Sequence, residues 1–159
     1  MKYSNALAAA TLAAIKAELD GGYLYVFAGS VPDDASDALD MVTDHTEVVR
    51  ISVEGGATGI TFDAPTANVL SKAAAETWSG LIAFDGTVAG PGTITPTFWR
   101  LCAAGDNGRG AAGANARLQG TIGGPASSAD IRLGDGTTMT DNGANTRSLP
   151  IFTVTLPET

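Results

Sequence analysis

The first twenty residues have the hydrophobic spacing of an amphipathic helix. Larger apolar residues recur at the i, i+4, i+7 and i+11 positions of one helix face, and the stripe consists of Ala8, Leu12, Ile15 and Leu19. Ser4 can cap the start of such a helix, and Gly21 with Gly22 can end it. The pattern predicts a helix over residues 4–20 that rests its alanine-rich side on a sheet.

After residue 22 the period of the hydrophobic pattern changes to two. Residues 47–53 are typical, since Val49, Ile51 and Val53 alternate with Arg50 and Ser52. Short segments of this kind, bounded by Gly, Pro or Asn, predict eight strands, at residues 23–27, 47–53, 59–62, 79–87, 93–103, 116–122, 129–133 and 148–156. Such spacing leaves no room for crossover helices, so antiparallel pairing should dominate.

The predicted fold is therefore mainly β, an antiparallel, jelly-roll-like β-sandwich with one N-terminal α-helix. The whole chain, residues 1–159, forms a single domain, with the helix over 4–20 and the sandwich over 22–157. Residues 69–78 have helix-forming composition but are too few for an independent helix, so they predict a connection with about one helical turn. The glycine-rich spans 104–113 and 134–143 are predicted to be loops.

Charge narrows the possible partners. Seventeen Asp and Glu residues oppose nine Lys and Arg, which gives a net charge of −8. Such a surface repels phosphate backbones and anionic lipids, and the basic residues are too scattered to form a local groove for a nucleic acid. No apolar stretch approaches the roughly 20 residues that cross a bilayer. We therefore expect no direct nucleic-acid or membrane partner.

The chain has one histidine and one cysteine, which limits the catalytic arrangements it can form. His45 is the only histidine, it lies in an acidic polar segment, and no Gly-x-Ser-x-Gly nucleophile elbow is present. Cys102 is the only cysteine, so the chain has no intrachain disulfide, and its apolar neighbours predict a small buried side chain rather than a reactive thiol. We expect no enzyme activity and no cofactor.

A cation site is the strongest chemical alternative. Asp130, Asp135 and Asp141 are oxygen ligands spread along a glycine-rich stretch, as in some calcium sites. The twelve-residue loop pattern with its final glutamate is missing, however, and Asp-Gly and Asn-Gly pairs also favour hairpin turns. These three aspartates are candidate metal ligands, and plain turns are the favoured interpretation.

Two segments are candidates for contact with other proteins. The first is the acidic loop, residues 33–44, with Asp33, Asp34, Asp37 and Asp40. The second is the hairpin tip at residues 105–110, with Asn107 and Arg109; it lacks the Gly-Lys-Ser/Thr ending of a phosphate-binding loop. Trp78 and Trp99 could form a sugar-binding platform if exposed, although burial in the core is the expected role for both.

Several stretches together resemble a widespread group of small tailed-bacteriophage proteins encoded among head, neck and tail components. They include YVFAGSVP at 25–32, GITFDAP at 59–65, VLSKAAAETWSG at 69–80, TFWR at 97–100, RLQGT at 117–121 and FTVTLP at 152–157, together with the helix at 5–19, Ala35 and Ala38. The similarity covers nearly the whole chain and consists of core strands and turns. One departure is the loop around Gly90, Pro91 and Gly92, where the group is expected to have a tighter turn.

The resemblance implies a virion structural protein, made in the bacterial host cytoplasm and then located in the virion. As a head decoration or minor capsid protein, or a collar or neck component, it would form a homo-oligomer and dock on major capsid, portal or neck, or tail proteins. A receptor- or glycan-binding module displayed on the particle is the alternative.

Overall fold

A computed structural model describes residues 4–134 and 137–156 of the chain. Its one helix is α1 (Asn5–Leu19). The strands are β1 (Tyr23–Ala28), β2 (Thr46–Val53), β3 (Val69–Ser71), β4 (Trp78–Gly86), β5 (Gly92–Ile94), β6 (Phe98–Cys102), β7 (Arg117–Gly123), β8 (Ile131–Arg132), β9 (Met139–Asp141), β10 (Thr146–Ser148) and β11 (Thr153–Thr155). In the described part of the chain, no helix combines the length and the apolar character needed to cross a membrane.

The helix begins and ends where the sequence predicts. The Ser4 hydroxyl accepts a hydrogen bond from the Leu7 amide, and Leu12 and Leu19 of the predicted stripe are fully buried against the sheet side. Ala8 of the same stripe is also buried, whereas Ala10 and Ala13 on the other side of the helix are exposed. The larger side chains bury more apolar area, so Leu12 and Leu19, together with Ala8 one turn before Leu12, face the interior.

Seven strands form one large sheet in the order β10-β4-β2-β1-β6-β7-β8. All its neighbouring strands are antiparallel except β7 and β8, which are parallel, so the sheet is mixed. Two small sheets, β11-β3 and β5-β9, complete the β structure of the described residues. The predicted mainly β fold with one helix is confirmed, whereas the jelly-roll-like sandwich stays a prediction.

Several strand boundaries differ from the predicted ones. The single strand predicted at 93–103 is divided into β5 and β6 around Pro96, which has no N–H to donate to a ladder. The strand predicted at 148–156 is likewise divided around Pro150. Residues 59–62 form only the isolated bridges of Ile60 and Phe62, and β3 and β9 lie in segments predicted to be a connection and a loop.

The large sheet has a hydrophobic cluster on each face. On one face, Leu24 and Val26 of β1 belong to a cluster that also includes Leu12 of α1, Leu70 of β3 and Phe152. The opposite face carries a smaller cluster formed by Tyr25, Phe27, Leu39, Phe98 and Cys102. Since Leu39 lies in the acidic loop, that loop is anchored on the second face of the sheet.

Candidate interaction surface

The acidic loop points its carboxylates outwards. Asp33, Asp34, Asp37 and Asp40 are all exposed. The loop holds its shape by turns in which backbone amides donate to these carboxylates: Ser36 N–H to Asp34 at 2.7 Å, Asp34 N–H to Asp37 at 3.1 Å, and Val42 and Thr43 N–H to Asp40 at 2.9 Å. The loop is thus a shaped acidic surface.

These hydrogen bonds also favour the ionised carboxylates. The Ser36 amide lowers the pKa of Asp34, and the Thr43 hydroxyl followed by the Thr43 amide lowers the pKa of Asp40. At the end of the loop, Ser30 donates from its hydroxyl and its amide to Asp44 and lowers the pKa of that carboxyl. Asp34, Asp40 and Asp44 therefore keep their negative charges under mildly acidic conditions.

A fully buried arginine lies beneath the loop. Arg100 of β6 donates to three backbone carbonyls, those of Asp37 (2.8 Å), Asp34 (3.3 Å) and Gly108 (2.7 Å), and to the side-chain oxygen of Gln119 (2.8 Å). Its relative exposure is 0%, and burial lowers its pKa. Because Arg100 binds the main chain of the loop, the aspartate side chains are left free to face outwards.

A buried ion pair holds the loop from a second side. Arg117 of β7 binds both oxygens of Asp106, with 2.7 Å between Nη2 and Oδ1, and it also donates to the carbonyls of Ala35 (3.2 Å) and Gly110 (2.8 Å). Burial alone would raise the pKa of Asp106, but the bonds from Arg117 and the Gly108 amide lower it. The acidic loop and the hairpin tip are therefore joined through one polar network.

Sequence reasoning missed Arg100, Asp106 and Arg117. The signal that could have found Arg100 is its position inside the apolar run Phe98-Trp99-Arg100-Leu101-Cys102, where a strand buried on both faces needs internal partners for a cation. Asp106 and Arg117 are eleven positions apart and give no comparable local pattern.

The two predicted residues of the hairpin tip lie on a shallow concavity of about 480 Å³ on the outer face of the sheet. Asn107 is exposed, and its side-chain oxygen accepts from the Arg109 amide at 3.0 Å. Arg109 is engaged within the chain, at 2.8 Å from Glu47 and 2.6 Å from Asp85. Burial works against the charge of Arg109, but these two carboxylates raise its pKa overall. Arg109 therefore ties β2 and β4 to the tip.

Two of the candidate metal ligands are used as hydrogen-bond acceptors. Asp130 accepts from the amide and hydroxyl of Thr121, and Asp141 accepts from the amides of Phe84 and Gly143. Asp135 lies outside the described residues. Within residues 4–134 and 137–156, no three His, Cys, Asp or Glu side chains are grouped as a metal site requires.

His45 braces the acidic loop. Its Nε2 lies 2.9 Å from the Ser30 carbonyl and its Nδ1 lies 3.3 Å from the Asp40 carbonyl. Asp44 is also close, but the Ser30 hydroxyl donates to Asp44 and not to the imidazole. This order differs from that of a hydrolase triad, in which the histidine lies between the hydroxyl and the carboxylate.

The remaining candidate groups are buried, as predicted. Cys102 has 0% exposure, and burial raises its pKa to about 12, which is the opposite of thiol activation. Trp78 and Trp99 have exposures of only 1% and 6%. Neither indole presents an open face on which a sugar ring could stack.

No family model, curated protein or solved structure matches this chain.

Proposed function

We propose that this chain is a non-catalytic structural component of a tailed bacteriophage virion. In this role it associates with itself and docks on major capsid, portal or neck, or tail proteins. The observation that carries the proposal is the acidic loop, whose main chain is fixed by Arg100 and Arg117 while its carboxylates remain exposed. The resemblance of the sequence to small tailed-phage proteins supplies the setting.

The physical reason for assigning docking to this loop is preorganisation. A flexible acidic segment loses conformational entropy when it binds, and a loop already held by buried hydrogen bonds avoids much of that loss. Its negative field also steers it towards basic surfaces. Preorganisation and electrostatic steering both suit a protein that binds one specific surface of a neighbouring protein.

A further part of the proposal concerns the fold. The small sheets β11-β3 and β5-β9 contribute Leu70 and Met139 to the same cluster as Leu24 and Val26 of the large sheet. This shared core supports the interpretation that they form the second layer of a jelly-roll-like sandwich.

The test is the protein content of purified particles of the phage that encodes the chain. Mass spectrometry should find the chain at a fixed ratio to the major capsid protein, and a cryo-microscopy map should place the acidic loop against a neighbour. Complementation with Asp33→Lys should reduce incorporation, whereas Glu18→Lys, an equal charge change on the exposed side of α1, should not. Absence from the particle, together with a monomeric state at high concentration, would overturn the proposal.

A further inference from the structure

Strand β7 leaves part of its outer edge open. β8 pairs only with Ile122 and Gly123, and the amide of the preceding Thr121 donates to the Asp130 side chain. In the described part of the chain, no strand lies beside Arg117–Gly120 opposite to β6. Natural edges of this kind are usually blocked by proline, a bulge or a covering segment. Asp130 covers Gly120 and Thr121, but along Arg117–Gln119 the described structure has neither a proline nor a bulge.

The alternation of the β6–β7 ladder shows which backbone groups face outwards. The Ala103 amide donates to the Ala116 carbonyl, and the Ile122 amide donates to the Thr97 carbonyl. In an antiparallel pair, hydrogen-bonded and non-hydrogen-bonded positions alternate. The N–H and C=O groups of Arg117 and Gln119 therefore point away from β6 and are available to a further strand.

A groove of about 720 Å³ runs along the same edge, on the core side of the sheet. About half of its lining is apolar and includes Leu118, Ile131, Leu149 and Val154, and the polar part includes Asp130, Arg132 and Arg147. Ile151, also in the lining, is 76% exposed. The groove can therefore receive apolar side chains from a strand that adds to β7, since alternate residues of such a strand point towards it.

Trp99 lies beside the groove with an indole N–H that is unpaired among the described residues. It lines the groove and is 94% buried, yet its indole Nε1 has no hydrogen-bond partner in the described structure. The indole edge next to Nε1 lies over Gly120, where a Cβ atom would be 2.7 Å from Cε2. Buried indole N–H groups normally find an acceptor.

The opposite face of the added strand meets the acidic loop. The Gln119 side chain donates to the Pro32 carbonyl at 2.7 Å, and Arg117 donates to the Ala35 carbonyl. This places the exposed carboxylates of Asp33 and Asp34 beside the open edge. Side chains on this face of the partner therefore need to be basic.

We propose that the open edge of β7 binds an extended segment of a different polypeptide, which adds as a strand. Its residues alternate between apolar or hydroxyl side chains facing the groove and basic side chains facing the acidic loop. Main-chain hydrogen bonds to Arg117 and Gln119 hold the segment, and the alternating pockets select it. Only the source of this segment, a neighbouring virion protein, rests on the proposed function.

A second copy of the same chain is a poor occupant. Pairing β7 with β7 of a second copy would bring two acidic loops to the same seam, in a protein whose net charge is already −8. The N–H and C=O groups of Arg117 and Gln119 offer only four backbone hydrogen-bonding groups on each edge, which is little to set against this repulsion. A basic strand from a different protein is therefore the favoured occupant.

The edge can be tested by titrating ¹⁵N-labelled protein with the end-blocked peptide Lys-Val-Lys-Thr-Lys-Val-Lys. Saturable shifts are expected in the amides of Arg117 and Gln119 and in the indole N–H of Trp99. The indole of Trp78, which donates to Glu76 at 2.7 Å, is the internal control and should not move. A Glu-for-Lys peptide should bind about tenfold more weakly at low salt, and N-methylation of alternate residues should abolish pairing.

Variants of the protein separate the edge from general charge attraction. Asp33→Lys should weaken peptide binding by about threefold or more relative to Glu18→Lys, which changes the net charge equally. Shifts confined to the acidic loop, or no saturable binding, would overturn the proposal. Shifts of Arg117 and Gln119 that follow protein concentration without peptide would assign the edge to a second copy and also overturn it. The peptide titration does not measure the protein content of particles. A negative titration would therefore overturn strand addition at β7 without overturning the virion role.

Discussion

At the scale of single residues, the dominant feature is the burial of charge beneath the acidic loop. Arg100 is fully buried and satisfies its guanidinium with carbonyls and an amide oxygen rather than with a carboxylate. Removing it would leave the buried Gly108 carbonyl and three partly buried acceptors without their donor, which costs more than the loss of the bonds themselves. Arg100 is therefore both an anchor of the loop and a point of vulnerability.

We predict that Arg100→Met lowers the free energy of unfolding by about 3 kcal/mol, because the unpaired carbonyls beneath the loop remain buried. Urea denaturation followed by circular dichroism measures the change. The matched control is Arg50→Met, on the same face of the sheet, where the exposed guanidinium lies 4.9 Å from the centroid of the Tyr23 ring. Arg50→Met should cost less than about 1 kcal/mol. Equal losses in the two variants would contradict the anchoring role.

The ion pair of Asp106 and Arg117 makes stability depend on pH. The pKa of Asp106 is lower in the folded protein than in the unfolded chain. Its ionised form therefore stabilises the fold at neutral pH, and this contribution is lost as the pH falls below about 4 towards the folded-state pKa.

We predict that Asp106→Asn reduces stability at pH 7 and flattens the fall in unfolding free energy between about pH 5 and pH 3. Urea denaturation at a series of pH values measures both effects. Adding Arg117→Gln to this variant should cost much less than Arg117→Gln alone, because the two side chains act as one unit. Strictly additive losses would show that they do not.

At the scale of secondary-structure elements, the strongest patterns were predictable from the sequence. The helix has its cap at Ser4 and its glycine stop, and β1, β2, β4 and β7 were predicted within one or two residues. The short strands β3 and β9 were not, because three residues carry too little periodicity to distinguish them from a turn. Strand β3 pairs with β11, and β9 pairs with β5. Both partners are distant in sequence, so local propensity did not indicate that β3 and β9 would form strands.

The candidate site shows the same limit. Exposure of the four predicted aspartates followed from their polar context, but the network that fixes them joins residues 34–37 to β6, β7 and the hairpin tip. Arg109, which was predicted to contact a partner, also pairs within the chain with Glu47 and Asp85, and the sequence pattern did not indicate these two pairs. Such contacts depend on strand order, which hydrophobic periodicity does not specify.

The segment between β10 and β11 offers a prediction at this scale. Phe152 is buried and contacts Phe62, Trp78 and Trp99, with ring centroids 5.3 to 6.2 Å apart. Phe152→Ala should lower the free energy of unfolding by about 3–4 kcal/mol, because it opens a cavity among three aromatic rings. The neighbouring Ile151 is 76% exposed, so Ile151→Ala should change stability by less than about 0.5 kcal/mol. Thermal and urea unfolding would compare the two, and a small effect of Phe152→Ala would indicate that this segment does not close the core.

At the scale of the whole molecule, net charge separates the two kinds of association proposed for this protein. Copies with a charge of −8 repel one another, and salt screens that repulsion. Docking of the acidic loop on a basic surface depends on attraction, which salt also screens. Raising the ionic strength should therefore strengthen self-association and weaken docking.

We predict that the purified protein forms larger homo-oligomers at about 500 mM NaCl than at about 50 mM NaCl, because the screening length falls from about 14 Å to about 4 Å. Sedimentation velocity at matched protein concentrations measures the distribution. Asp33→Asn, which removes one exposed carboxylate, should shift the low-salt distribution in the same direction. If the oligomers instead dissociate at high salt, attraction between opposite charges holds the copies together. The acidic loop would then lie at the homo-oligomer interface rather than at the contact with a different protein.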